Sequence, residues 1–343
     1  MKAIIKAREG IGNVELAQRP VPQINENEVL IKVRKAGICG TDFHIYKWDK
    51  WSQNRIKPPL VMGHEFAGEI VQMDKAVKGL YIGQRVSAEG HITCQKCKLC
   101  RTGRGHICND IEIIGVDRDG CFAEYIKMPA MNVWPLDDEI EDKYGAIMDP
   151  LGNAMHTVMA QPVSSRDVLI TGGGSIGLFA TAIAKRFGAS RLVVSEPQPY
   201  KAQLAKKAGA DVVVNPLGDN PKEQIMEAFN GHQPEVVLEM SGFPSAFQLG
   251  LEVIENGGDM AILGIPSEDL NIDMGKYVIF KGITLRGING RRMFDTWYQC
   301  QNFLKSNSSF IDHVITHELP MEDINEGFRL MSESKAVKVV LDF

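Results

Sequence analysis

Between Asp167 and Glu196 the chain reads apolar, glycine-rich, helical and apolar again. Asp167-Val-Leu-Ile-Thr is a short buried-strand pattern that enters the turn Gly172-Gly-Gly-Ser-Ile-Gly177. A helical stretch follows, Leu178-Phe-Ala-Thr-Ala-Ile-Ala-Lys-Arg-Phe, closed by Gly188, and Arg191-Leu-Val-Val-Ser is the next strand. Strands that are apolar on both faces need parallel neighbours, with helices covering the sheet on either side. The rhythm repeats. A helix from about Tyr200 to Ala208 stops at Gly209, and Asp211-Val-Val-Val-Asn, Glu235-Val-Val-Leu-Glu-Met and Met260-Ala-Ile-Leu-Gly supply further strands. This is the pattern of a doubly wound parallel sheet.

The turn carries chemistry of its own. Gly172, Gly174 and Gly177 form G-x-G-x-x-G after a strand and before a helix, and Glu196 stands 19 residues beyond the last glycine. In that context the motif predicts a dinucleotide site. Gly172 permits the tight turn, Gly174 lets a pyrophosphate approach the backbone, and Gly177 lets helix and strand pack closely. The helix N-terminus offers free N–H groups to the phosphates. Glu196 suits the ribose hydroxyls of NAD and repels a 2′-phosphate, a repulsion that Lys201 would soften.

Upstream the pattern is β-rich. Val29-Leu-Ile-Lys-Val-Arg-Lys alternates apolar and polar residues, as a half-buried strand does, and Glu69-Ile-Val-Gln-Met and Gln84-Arg-Val-Ser-Ala are similar. Past about Gly290 the strand–helix rhythm ends, and Val337-Lys-Val-Val-Leu reads as a strand that rejoins the first part. No apolar stretch approaches the roughly 20 residues that span a bilayer, and the first residues lack the apolar core of a secretion signal. A net charge of −5 argues against a nucleic-acid partner, which would favour a basic face.

Four of the seven cysteines, Cys94, Cys97, Cys100 and Cys108, have the spacing C-x2-C-x2-C-x7-C. In a chain without a secretion signal, such a cluster favours metal over disulfides. Four thiolates close a tetrahedral zinc site and leave no position for substrate; an iron–sulfur cluster also takes four thiolates. The chemistry is therefore to be sought elsewhere. Cys39-Gly-Thr-Asp-Phe-His44, Gly63-His64-Glu65 and Asp149 offer a second set of zinc-competent groups, each of which also has an ordinary structural reading.

Gly63-His64-Glu65-Phe-Ala-Gly68, the four-cysteine lobe, Cys39-Gly-Thr-Asp and the glycine fingerprint, taken in order over the whole chain, resemble the zinc-containing medium-chain alcohol dehydrogenase family. The likeness is closest to its branch that oxidises the 3-hydroxyl of L-threonine, through Ile38-Cys-Gly-Thr-Asp-Phe-His-Ile-Tyr, Trp48-Asp-Lys-Trp-Ser, Glu89-Gly-His-Ile-Thr-Cys, Asp149-Pro-Leu-Gly-Asn-Ala and Gly290-Arg-Arg-Met-Phe-Asp-Thr-Trp297.

The resemblance implies an α/β protein with a GroES-like β-rich catalytic domain over 1–152, its zinc lobe at about 90–110. It implies a Rossmann domain over 153–290 and a return to the catalytic domain over 291–343. It implies two zinc ions per chain, one held by Cys39, His64 and Glu65 and one by the four cysteines, with Asp149 a further ligand or a carboxylate just behind them. Thr41 and His44 match a proton relay. Ile176, Lys201, Leu263, Gly264, Ile265, Ile288 and Asn289 join the three glycines and Glu196 around NAD. A cytoplasmic homotetramer acting on a small molecule is expected. A polyol or 2,3-butanediol dehydrogenase of the same family is the near alternative. A zinc-lobe binding module without catalysis is the distant one.

Overall fold

The strand Glu28–Ile38 organises the β-rich part of the chain. Its apolar residues Val29, Ile31, Val33, Ala36 and Ile38 are buried with Phe66, Ile70, Val86, Phe122, Phe328, Val339 and Leu341 in one core. Full burial of each large apolar side chain contributes about 1.5–3 kcal/mol. The strand pairs antiparallel with Glu65–Met73, with Tyr125–Pro129 and with the closing strand Lys338–Asp342. Register then does the positioning. Gly37 lies opposite Glu65 and Ile38 opposite Val339. The end of one strand therefore gathers residues near positions 39, 65 and 338.

In this computed structural model, residues 1–266 and 268–343 are described. Their contacts define two units, Met1–Pro150 with Arg292–Ser306 and Ile315–Phe343, and Leu151–Arg291 with Asn307–Val314. In the first unit, helix α1 (Gly40–Lys47) starts directly after Cys39. Cys39 is its N-cap: Thr41 N–H donates to the Cys39 sulfur at 3.4 Å, and Cys39 N–H donates to the Asp42 carboxylate at 2.9 Å. This is a capping box with a thiol in place of the usual hydroxyl. Trp48 ends α1 in the left-handed region (φ 54°, ψ 47°), and helix α2 (Lys50–Arg55) follows with Asp49 as its N-cap.

In the second unit a six-stranded sheet runs in the order Val212–Val214, Arg191–Ser195, Asp167–Thr171, Val236–Glu239, Asp259–Ile262, Thr284–Gly287. Every pairing is parallel. Chain order reverses direction between Asp167–Thr171 and Val236–Glu239, which makes the carboxyl ends of those strands the place for a ligand. The outer strand Thr284–Gly287 is mostly exposed. An edge strand covered on few sides needs no apolar run, so the pattern that reveals the inner strands is missing there.

Candidate active site and metal centres

The four cysteines of the lobe are all free thiols. All four sulfurs lie within 4.8 Å of one another, with Cys97 to Cys100 at 3.5 Å, Cys97 to Cys108 at 3.8 Å and Cys108 to Cys94 at 3.4 Å. A disulfide needs about 2.05 Å. A tetrahedron with metal–sulfur bonds of about 2.3 Å has edges of about 3.8 Å, so the spacing suits a zinc ion. The short helix Lys98–Arg101 begins at Cys97, whose sulfur accepts the Cys100 backbone N–H at 3.5 Å. That hydrogen bond draws Cys97 down to about 6, towards the thiolate a metal requires.

Cys39, His64 and Glu65 form a second group whose ligand atoms lie within 4.8 Å of one another. His64 and Glu65 are buried. Among the described residues, His64 Nδ1 and Glu65 Oε1 have no hydrogen-bond partner. Two orphaned buried polar atoms in a Cys–His–carboxylate set are what a zinc ion would satisfy. Asp149 is also buried and acts electrostatically on both His64 and Glu65. The structure thus brings Asp149 to the group. Burial pushes the Glu65 carboxyl up, and the Lys338 ammonium holds it back. Lys338 Nζ donates to Glu65 Oε2 at 2.8 Å and to the carbonyl of Ile38 at 2.9 Å. Gly37 makes room for that carboxylate, since a Cβ there would lie 2.3 Å from Glu65 Oε2.

Thr41 is half-buried in the first turn of α1, and His44 is exposed one turn further on. Residues three apart share a helix face. The Glu89-Gly-His91 and Arg291–Trp297 segments meet: buried Trp297 donates from Nε1 to Glu89 Oε2 at 2.9 Å, and Glu89 Oε1 lies 2.9 Å from His91 Nδ1. A Cβ at Gly90 would be 3.4 Å from the His64 carbonyl, so this network lies against a proposed ligand.

In the second unit the glycine turn has the geometry its sequence predicts. Gly172 has φ +96°, and a Cβ at Gly177 would sit 2.0 Å from the Gly172 carbonyl. Gly174 faces open space and caps the helix Ser175–Arg186 without any side-chain cap bond. Those backbone N–H groups are left for an anion, so the turn fits a dinucleotide phosphate. Glu196 is buried and accepts from Gly173 N–H at 2.6 Å and Gln198 N–H at 2.8 Å. Leu263 and Gly264 donate their N–H groups to the Glu239 carbonyl. Ile265 is 89% exposed rather than part of the sheet core. Ile288 is buried just past the last strand, with Asn289 exposed beside it. Ile176 and Lys201 are half-buried.

Three residues near these sites escape a sequence reading. Lys338 is a lone charge in the run Val337-Lys-Val-Val-Leu, and Asp42 lies inside Cys39-Gly-Thr-Asp without a role of its own. Glu239, whose Oε1 accepts from Ser241 N–H at 2.9 Å and Gly242 N–H at 3.1 Å, closes a strand end. The one signal for Glu239 is an acid at the end of an apolar strand, the same signal that marks Glu196.

Residues 25–138 match the model of the alcohol dehydrogenase GroES-like domain, and residues 175–306 match that of the zinc-binding dehydrogenase. The L-threonine 3-dehydrogenase of Alteromonas mediterranea is 45% identical over 343 residues, covering all of both chains. Galactitol-1-phosphate dehydrogenase of Escherichia coli superposes with a TM-score of 0.90 at 26% identity, over the full length of both chains. A structure described as a short chain alcohol dehydrogenase of Escherichia coli, complexed with NADH, superposes with a TM-score of 0.89 at 25% identity, covering 100% of this chain and 99% of that one.

Proposed function

As a member of the zinc-binding alcohol dehydrogenase family, this chain, we propose, oxidises the 3-hydroxyl of L-threonine with NAD to give 2-amino-3-oxobutanoate, NADH and a proton. The full-length likeness to an L-threonine 3-dehydrogenase carries the substrate. The Cys39–His64–Glu65 group, with the orphaned atoms of its two buried members, carries the chemistry. The near alternative is a polyol or diol substrate, which the likeness to galactitol-1-phosphate dehydrogenase keeps in view.

Cys39, His64 and Glu65 would hold the catalytic zinc, with Asp149 as a further ligand or the carboxylate behind them. When bound, zinc supplies Lewis acidity that makes a hydroxyl easier to deprotonate. The chain's own residues do the rest. Thr41 accepts the hydroxyl proton and hands its own to His44, whose exposed ring releases it to water. An imidazole suits that task because its ordinary pKa of about 6.5 lies near the working pH. Gly172, Gly174, Ile176 and Gly177 seat the NAD pyrophosphate. Glu196 and Lys201 meet the ribose. Leu263, Gly264, Ile265, Ile288 and Asn289 would border the nicotinamide, and NAD when bound would supply the hydride acceptor.

The four-cysteine lobe would hold a second, structural zinc. The unit from Met1 to Pro150 with its two later segments serves as the catalytic domain, and the other as the NAD domain. A cytoplasmic homotetramer completes the reading. Among the described residues no helix is long and apolar enough to cross a membrane.

Purified protein with NAD and L-threonine should show rising absorbance of reduced cofactor, abolished by Cys39→Ser. A rise with sorbitol or 2,3-butanediol but none with threonine would move the substrate and keep the class.

A further inference from the structure

His44 Nδ1 lies 2.5 Å from Asp49 Oδ2. The contact is built by the chain reversal between the two short helices. Trp48, at the end of α1, is a bulky residue at positive φ. Such a residue persists only where its surroundings over-determine it. Here they do. Lys6 lies over the Trp48 ring at 4.9 Å, and its ammonium donates to the carbonyls of Gly10 at 2.5 Å and Gly12 at 2.6 Å. Gly12 N–H in turn donates to the Tyr46 carbonyl at 2.8 Å. The reversal brings Asp49 back to a histidine five residues upstream. Its other oxygen, Oδ1, accepts from Ser52 N–H at 3.0 Å and starts α2. One carboxylate thus spans the cap of α2 and the ring on α1.

We propose that Asp49 is the positioning residue of the proton relay, holding the His44 ring so that Nδ1 carries a hydrogen and Nε2 is free to accept a proton. The inference rests on the relay described under the proposed function. The logic is that of any carboxylate behind a histidine base: it selects a tautomer, fixes the ring plane and stabilises the imidazolium. The proton balance is simple. Nε2 takes one proton from Thr41, the ring becomes imidazolium with Nδ1–H still donated to Asp49, and one proton leaves from Nε2 to water. Asp49 keeps its charge throughout.

Among the described residues, Asp49 is the carboxylate in contact with the ring. Trp51 meets the ring edge-on at 6.4 Å between centroids. Arg55 stacks on Trp51 at 6.0 Å, and both Asp117 oxygens hold its guanidinium, at 3.0 and 2.7 Å. Lys47, on α1, lies over Phe43, and Lys50 opens α2. Burial pushes the Asp49 carboxyl up, but Ser52 N–H and the His44 ring hold it below its ordinary value, so it stays ionised.

Two variants separate this role from the cap. Asp49→Asn keeps the cap and the shape without the charge, and Asp49→Ser keeps a cap but cannot reach the ring. In the zinc-loaded, NAD-saturated protein, the pH profile of kcat/KM for L-threonine should differ between Asp49→Asn and wild type, because the imidazolium loses its counter-charge. Asp49→Ser should lose about tenfold or more in kcat/KM with unchanged zinc content and melting temperature. Nitrogen-15 spectra, with His44 assigned through His44→Gln, should show the neutral ring protonated at Nδ1 in the wild type and returned to the ordinary mixture in Asp49→Ser. Profiles and tautomer that are the same in all three proteins would overturn the proposal. A wild type that does not turn over threonine would defeat the proposed function instead, and the nitrogen spectra would then decide Asp49 alone.

Discussion

Lys338 and Glu65, 273 positions apart in sequence, form an ion pair of 2.8 Å with both side chains fully buried. The pair gives the buried Glu65 carboxylate beside Cys39 and His64 a cation that opposes the upward push of burial on its pKa. Removing one partner of a buried pair leaves an uncompensated charge, which typically costs about 3–5 kcal/mol. Lys338→Met should therefore destabilise the protein by an amount in that range by urea denaturation, and should bind catalytic zinc more weakly by metal analysis. Stability within about 0.5 kcal/mol of wild type, with full zinc content, would show that the pair does not hold the site.

The lobe makes a separable prediction. Cys108→Ser should carry one zinc fewer per chain and melt at least about 5 °C lower, because a structural metal contributes folding energy directly. Hydride transfer measured at 25 °C should fall less than the stability does. A variant with full zinc content would show that the fourth sulfur is dispensable.

On the proposed reading, Glu196 would set the cofactor preference. Its carboxylate is held by two backbone N–H groups, and in the proposed site its charge would oppose an adenosine 2′-phosphate. Glu196→Gln keeps the shape and removes the charge. The NAD:NADP ratio of kcat/KM should fall by about tenfold, equivalent to 1.4 kcal/mol. An unchanged ratio in steady-state kinetics would assign the preference to another residue.

His313 should give the unit Leu151–Arg291 with Asn307–Val314 an acid sensitivity. Burial pushes its pKa below the ordinary 6.5, against the hydrogen bond to Leu204, and Nε2 has no partner among the described residues. Below pH 6.5 the unfolded chain takes up a proton that the folded chain still refuses. Stability from this residue is thus present above 6.5 and is lost as pH falls towards the lower folded value. In urea melts between pH 7 and 5, His313→Asn should lose less stability than wild type. Parallel curves would show no linkage at this ring.

Much of this was legible because the relevant signals are local. The glycine turn and its acid declare themselves by spacing between a strand and a helix, and the four cysteines by their spacing. Cys39, His64 and Glu65 were ambiguous as single residues. What unites them is the pairing of Gly37 with Glu65, a tertiary register that no local pattern encodes. Lys338 was hidden for the same reason: its partner is a strand neighbour brought from the other end of the sequence. Asp49 was readable as part of Trp48-Asp-Lys-Trp, but its reach to His44 depends on a left-handed tryptophan. Propensity would not assign that conformation to a bulky residue. The edge strand Thr284–Gly287 lacked the apolar run by which its neighbours were found.

The closing strand has a consequence for how the protein is made. Cys39 and Glu65 leave the ribosome long before Lys338 does, and until Lys338–Asp342 docks beside Glu28–Ile38 the Glu65 carboxylate lacks its cation. A nascent chain can present ligands for metal early, yet it finishes the pocket around them only when its last strand arrives. Premature termination upstream of that strand would release a polypeptide carrying every proposed zinc ligand and no completed catalytic site.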